Sequence, residues 1–400
     1  MPKAHLQFHP LTFVEEPDGV LVGSLAAQSY AVLPADGAEL LRRLMDGVSV
    51  DDAARWYGAT FGEPIDMADF LATLHDLGFV KIAGAAGPTV AEPERIRWQA
   101  LGRAAFSPVA WACYAGLVAA CCLAMARHAE LRPHPGGIFF VRSLIVVQVV
   151  LLLAQVPALL WHEWFHVLAG RRLGLPTRLS VTRRLYFVAF ETHLDGLLGV
   201  PRRQRYLPFL AGMLADVVLF SALTLAATVA QGGLSWVGRL AIAIAYTTLL
   251  RLAWQFCVFL RTDLYYTLTT AVGSTDLAGA TSAYLRSWIQ PRNRLSWKAV
   301  TDGGAWSPRD AVIAPWFALV TVAGGGLLLW GAAVAVLPVA VLFTTRLVAG
   351  LTHGAVGGAV FWNSAAPLIL TGFQLVVLPL LIGRYTRGRP SQSRTKGTLS

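Results

Sequence analysis

Apolar and polar positions follow two regimes along this chain. Residues 1–100 mix charged and apolar positions as a folded soluble unit does, whereas residues 104–385 contain apolar runs long enough to cross hydrocarbon. In the first regime, residues 12–23 (TFVEEPDGVLVG) set turn chemistry, Pro17-Asp18-Gly19, between two β-prone runs and predict a hairpin. Asp36 is then expected to cap a helix carrying Leu40, Leu41 and Leu44. Asp51 and Asp52 open a second helix with Ala54, Trp56 and Tyr57, and residues 67–77 carry Phe70, Leu71, Leu74 and Leu77 at helical spacing. A hairpin followed by three helices predicts a small winged-helix-like α+β domain over residues 1–82. Residues 83–105, which open on AGAAGP and continue through Glu92, Glu94, Arg95, Arg97 and Arg103, predict a linker.

The second regime, residues 106–385, predicts spans near 106–126, 141–169, 206–230, 236–260, 311–336 and 362–383. Each is close to the roughly twenty residues a bilayer requires. Residues 337–349 are apolar but shorter and carry Arg346, and read as a re-entrant piece or as part of a longer helix. The fold class expected is therefore mainly α, a polytopic helical membrane protein of about six spans, with a basic tail over residues 386–400. Arginines set the orientation. Arg171, Arg172, Arg178, Arg183, Arg184, Arg202, Arg203 and Arg205 follow the second span, and Arg384, Arg387 and Arg389 follow the last; the loop 232–235 has none. Six spans and a cytoplasmic N-terminal domain put the basic loops on one side, so the chain is expected in the cell membrane as a multi-pass protein.

Only 14% of residues are charged, against about a quarter in soluble domains, which favours the bilayer reading. A net charge of +10 raises the question of nucleic acid. Arginines beside apolar spans account for it, and no nucleic-acid motif is present, so no such partner is expected. Cys113, Cys121, Cys122 and Cys257 all lie in apolar segments and read as small hydrophobes. The first twenty residues carry Glu15, Glu16 and Asp18 and lack an apolar core with a cleavage site, so no cleaved signal peptide is expected.

The candidate chemistry lies at the end of the second span, where His162, Glu163 and His166 form the pattern HExxH. Four residues is about one helical turn, so the two imidazoles share a face and can hold one zinc ion while Glu163 acts as general base beside it. Ionisable residues within an apolar span are costly and mark function. Zinc needs a third protein ligand, and Asp195, Asp216 and Asp263 are the candidates. Spans two and four are both expected to finish on the cytoplasmic side, which brings Asp263 level with the histidines. Asp216, about ten residues into its helix, is expected roughly 15 Å deep, so Asp263 is preferred. His193 and Asp195 read as solvated loop residues. His5, His9, His75, His128, His134 and His353 lack ligand spacing.

Residues 143–275 resemble the core of the site-2 protease family of intramembrane zinc metalloproteases, through HEWFHVLAGRRLG at 162–174, PRRQRYLPFLAGMLAD at 201–216 and LRTDLYYTL at 260–268. The resemblance implies Glu163 as general base and Asp263 as third ligand. Departures are Leu264 where the family has Gly, Gln255, Cys257 and Val258 in place of an upstream Asn-Pro, and Met213 in place of Pro. Residues 8–82 resemble PqqD-like domains that hold leader peptides of ribosomally made, modified peptides, through LPADGAELLRRLMDGVSVDDAARWYG at 33–58 and FLATLHDLGFVKI at 70–82. Together they imply a membrane zinc endopeptidase acting on a peptide or membrane-protein substrate, with a role in peptide maturation. The alternative is a non-proteolytic peptide carrier, exporter or immunity protein with a vestigial site.

Overall fold

The alternation of inward apolar and outward polar residues in the first eighty positions builds one sheet under three helices. In the computed structural model, which describes residues 6–331 except 18, 25, 26, 28, 82–95, 185, 186, 195, 230–234, 275 and 290–305, then scattered positions over 333–352, residues 358–373 and residue 380, strands β2 (Leu11–Glu16), β3 (Gly19–Ser24) and β4 (Ser29–Leu33) form an antiparallel meander. The predicted hairpin is β2–β3. The third strand, SYAVL, was not expected; Ala31 and Leu33 face its core. β1 (Gln7–Phe8) pairs with β5 (Val80–Lys81) and ties the two ends of the domain together. The helices between are α1 (Ala35–Met45), α2 (Val50–Phe61) and α3 (Met67–Asp76). Ser49 Oγ caps α2, Asp66 caps α3, and Gly62 in the left-handed region ends α2, whereas Asp36, expected as the cap of α1, lies in its first turn after Pro34 at the N-cap. Val20, Val22, Leu33, Leu41, Leu74 and Phe79 fill the space between sheet and helices.

After the segment 82–95, α4 (Gln99–Ala105) turns part of the expected linker into a helix. Gly102 permits it: a Cβ there would run into the Leu168 carbonyl of the neighbouring helix. The body continues with α5 (Pro108–Arg127), α6 (Leu144–Arg172), α7 (Arg202–Val229), α8 (Trp236–Trp254), α9 (Asp263–Val272), α10 (Leu277–Ile289), α11 (Pro308–Gly331) and α12 (Ala359–Gly372). Among the described residues, five helices, α5, α6, α7, α8 and α11, are long and apolar enough to cross a bilayer. The sixth expected span is represented by the fourteen residues of α12. Its continuation, most of residues 337–349 and the basic tail lie outside the described residues.

Small residues set the helix contacts, as they do where backbones must approach closely. Ala169, Ala211 and Ala215 pack with Phe106, Phe165 and Leu168 where α6 crosses α7. Large apolar residues such as Val109, Leu153, Trp316 and Leu329 point outward. Residues 173–201, expected as an arginine-rich loop, instead contain an antiparallel hairpin of β6 (Thr177–Arg184) and β7 (Phe187–Leu194). The β-prone run FVAFETHL of β7 is the physical reason. The N-terminal domain rests on the 3-10 turn that follows, Leu197–Gly199, and on the start of α7, where Glu16 pairs with Arg205 at 2.8 Å and Arg202 at 3.4 Å.

Candidate metal centre

Helical periodicity puts His162 and His166 on the α6 face that meets α7, where both are buried with Glu163 between them. α6 runs on to Arg172, ten residues past His162 and six past His166, so the site lies about 9–15 Å inside the helix and not at its end as the sequence suggested. This also corrects the depth argument against Asp216. That residue sits beside His162, its Oδ2 3.0 Å from Nδ1, though it faces the outer nitrogen and not the shared centre.

Asp263 arrives by a break in the backbone. α8 was expected to reach residue 260, but it stops at Trp254, and the chain turns through a 3-10 segment, Val258–Leu260, with Arg261 in the left-handed region, before α9 begins at Asp263. Gln255 organises the turn: its backbone carbonyl accepts from Thr262 Oγ1 at 2.6 Å, and its Oε1 accepts from the Asp263 N–H at 3.1 Å. Gln255 thus fixes the loop that delivers Asp263.

His162 Nε2, His166 Nε2 and Asp263 Oδ2 form a nearly equilateral triangle, with edges of 3.1 Å and 3.3 Å to Asp263 and 3.3 Å between the imidazoles. Zinc bonds of about 2.0–2.1 Å at the tetrahedral angle give ligand edges of about 3.3–3.4 Å, so the three atoms fit one face of a zinc tetrahedron and leave the fourth position for water or substrate. Tautomers agree. His166 Nδ1 lies 2.7 Å from the Pro208 carbonyl, which only accepts, so that nitrogen carries a hydrogen. His162 Nδ1 donates to Asp216, a carboxylate held by Arg251 through contacts of 2.6 and 3.2 Å. With those outer nitrogens donating, both Nε2 lone pairs are left free to face Asp263, an arrangement that could hold a metal cation.

Two more features complete the centre. A Cβ at Gly212 would collide with both Nε2 atoms, so the space between the imidazoles exists because residue 212 has no side chain. Glu163 Oε2 accepts a 2.7 Å hydrogen bond from Thr192 Oγ1 on β7. Behind Asp216 a half-buried polar chain continues: Arg251 Nη1 donates to Gln155 Oε1 at 3.0 Å, and Gln155 Nε2 to Thr247 Oγ1 at 2.8 Å. Every predicted ligand is thus brought together. Asp195 lies outside the described residues. Thr192, Gly212, Gln255 and Arg251 are the contributors that sequence reasoning missed; the β-prone run around Thr192 and the polar residues at 155 and 251 within apolar spans were the available signals. No family model, curated protein or solved structure matches this chain.

Proposed function

We infer that this chain is a polytopic membrane zinc metalloendopeptidase of the site-2 protease type, with its N-terminal domain on the cytoplasmic side, acting on a peptide or membrane-protein substrate. The observation that carries the reading is the triangle of His162, His166 and Asp263, with both outer imidazole nitrogens committed as donors. Five apolar helices and the arginines at one end of α6 and α7 support the membrane placement.

When bound, zinc supplies Lewis acidity to the substrate carbonyl and to a water molecule. Glu163 supplies the proton chemistry. Its carboxylate takes a proton from the attacking water as the new C–O bond forms, then gives it to the amine nitrogen as the C–N bond breaks. Thr192 holds Oε2 in place and leaves the second oxygen to carry that proton. Asp216 and Arg251 keep the His162 ring in one orientation throughout.

Elemental analysis of detergent-purified protein tests the reading. Wild type should carry about one zinc per chain, and His162→Ala and Asp263→Ala should lose most of it. Glu163→Gln should keep the metal while cleavage of a peptide substrate falls about 10²–10⁴-fold. Wild type that takes up no zinc when zinc is offered overturns the reading. Zinc without cleavage across a broad peptide panel selects the non-proteolytic carrier instead.

A further inference from the structure

Arginines cluster where α4, the end of α6 and the start of α7 meet, and they divide by what they touch. Arg171 is used by the fold: it donates to Thr177 Oγ1 at 2.9 Å and to the Arg97 carbonyl at 2.8 Å. Arg202 and Arg205 pair with Glu16, and Arg205 also donates to the carbonyls of Val200 and Leu198, both at 2.7 Å. Arg103, Arg172 and Arg203 have no such role. They come from three different helices, line one cavity of about 620 Å³ with Leu173, Gln204 and Leu207, and make no hydrogen bond or ion pair with any described residue.

Three guanidinium groups around one cavity with no carboxylate in its lining repel one another, and an anion relieves that repulsion. Guanidinium forks match phosphate oxygens in pairs. The N-terminus of α7 opens beside the cavity and adds its own partial positive charge. The surroundings are apolar as well as basic: Leu173 and Leu207 line the cavity, and on α4 Leu101 and Trp98 stand exposed, Trp98 packed edge-on against Trp164. Charge for a phosphate beside apolar surface for acyl chains, at the end of two long apolar helices, is the chemistry of a lipid headgroup site at the membrane face.

We propose that this cavity binds the phosphate of an anionic phospholipid. The proposal rests on the membrane placement above and is independent of the zinc chemistry, since none of its lining residues is a ligand of the metal centre. Free phosphate shares the recognition chemistry, so the test separates the two sources. Full-length protein in neutral detergent is titrated with phosphatidylglycerol, phosphatidylcholine or inorganic phosphate, and retained lipid is counted by native mass spectrometry with the unfolding midpoint followed in parallel. Wild type should retain phosphatidylglycerol over phosphatidylcholine, and Arg103→Gln/Arg172→Gln/Arg203→Gln should bind it on the order of a hundredfold more weakly. All three side chains are solvent-exposed, and unchanged zinc content shows that the variant is folded; the single Arg203→Gln variant serves if the triple one is not. Equal retention of phosphatidylglycerol by wild type and variant overturns the site. Protection by inorganic phosphate equal to that by the lipid overturns the lipid and leaves a phosphate pocket. Recovery of wild type in the soluble fraction without detergent overturns the membrane placement itself, and His162→Ala, which removes the metal, should bind the lipid as wild type does.

Discussion

Gly212 belongs to the metal centre as much as the histidines do, because its missing side chain makes the room into which both Nε2 atoms project. Gly212→Ala should therefore lose most of its zinc while the helices still form, since alanine is the better helix residue; elemental analysis with circular dichroism reads both. HExxH was legible because one helical turn encodes the spacing of two ligands and a base. Gly212, Thr192 and Gln255 were not, because each acts on a residue of another element and only packing brings them together. A second residue-scale consequence lies in the N-terminal domain, where Tyr57 donates a hydrogen bond to the Asp36 carboxylate. That bond holds Asp36 below its ordinary range and pushes the Tyr57 phenol from 10.0 up to about 12. For the phenol, a raised folded pKa means a contribution present below pH 10 and lost as pH climbs through about 12. For the carboxylate, a lowered one means a contribution present above its ordinary range and lost on acidification. Ultraviolet difference titration against Tyr57→Phe should place this phenol near 12, and Asp36→Asn should return it towards 10.

Elements differ in how well their ends could be read. Apolar runs gave α5, α6, α7 and α11 to within a few residues, because the runs are about as long as the helices they form. The early stop of α8 was hidden, since residues 255–260 (QFCVFL) are almost as apolar as the helix before them, and Gln255 reveals its role only through the two bonds it makes. Depth counted from assumed ends misjudged Asp216 for the same reason: α6 and α7 overlap further than their apolar runs indicate, and the carboxylate meets His162 from the side. The pairing of α7 with α8 through Asp216 and Arg251 then reaches the proposed metal position by way of that ring. Asp216→Asn keeps an acceptor but gives up the charge that strengthens the bond and pairs with Arg251. Zinc affinity measured by chelator competition should fall about 10–100-fold, with the His166 side of the site untouched.

At the scale of the whole molecule, Arg202 joins the N-terminal sheet to the end of α9, where Pro17 also lies close to Gly273. Arg202 pairs with Glu16 and also donates to the carbonyls of Thr270 and Ala271, while Arg309 donates to that of Val272 at 3.1 Å. These carbonyls belong to the last turn of α9, whose end carries few intrahelical bonds, Thr270 accepting also from the Gly273 N–H at 3.3 Å, and two cations there suit the negative end of the helix dipole. Asp263 stands at the other end of the same ten-residue helix. The N-terminal sheet-and-helix part and the apolar helices read in the sequence as separate composition regimes. Their connection was not legible, because Glu16 reads as one more acidic residue in a turn and Arg202 as one more topological arginine. Recruitment of a peptide and positioning of α9 make different predictions for this domain. If it only recruits, deleting residues 1–81 raises KM for the peptide and leaves zinc affinity alone. The Glu16–Arg202–α9 chain predicts that Glu16→Gln lowers zinc affinity on the order of tenfold while the domain remains folded and able to hold peptide, and that deletion lowers both zinc affinity and kcat/KM. Chelator competition on Glu16→Gln decides: an affinity equal to wild type removes the domain from the metal site and leaves it recruitment alone.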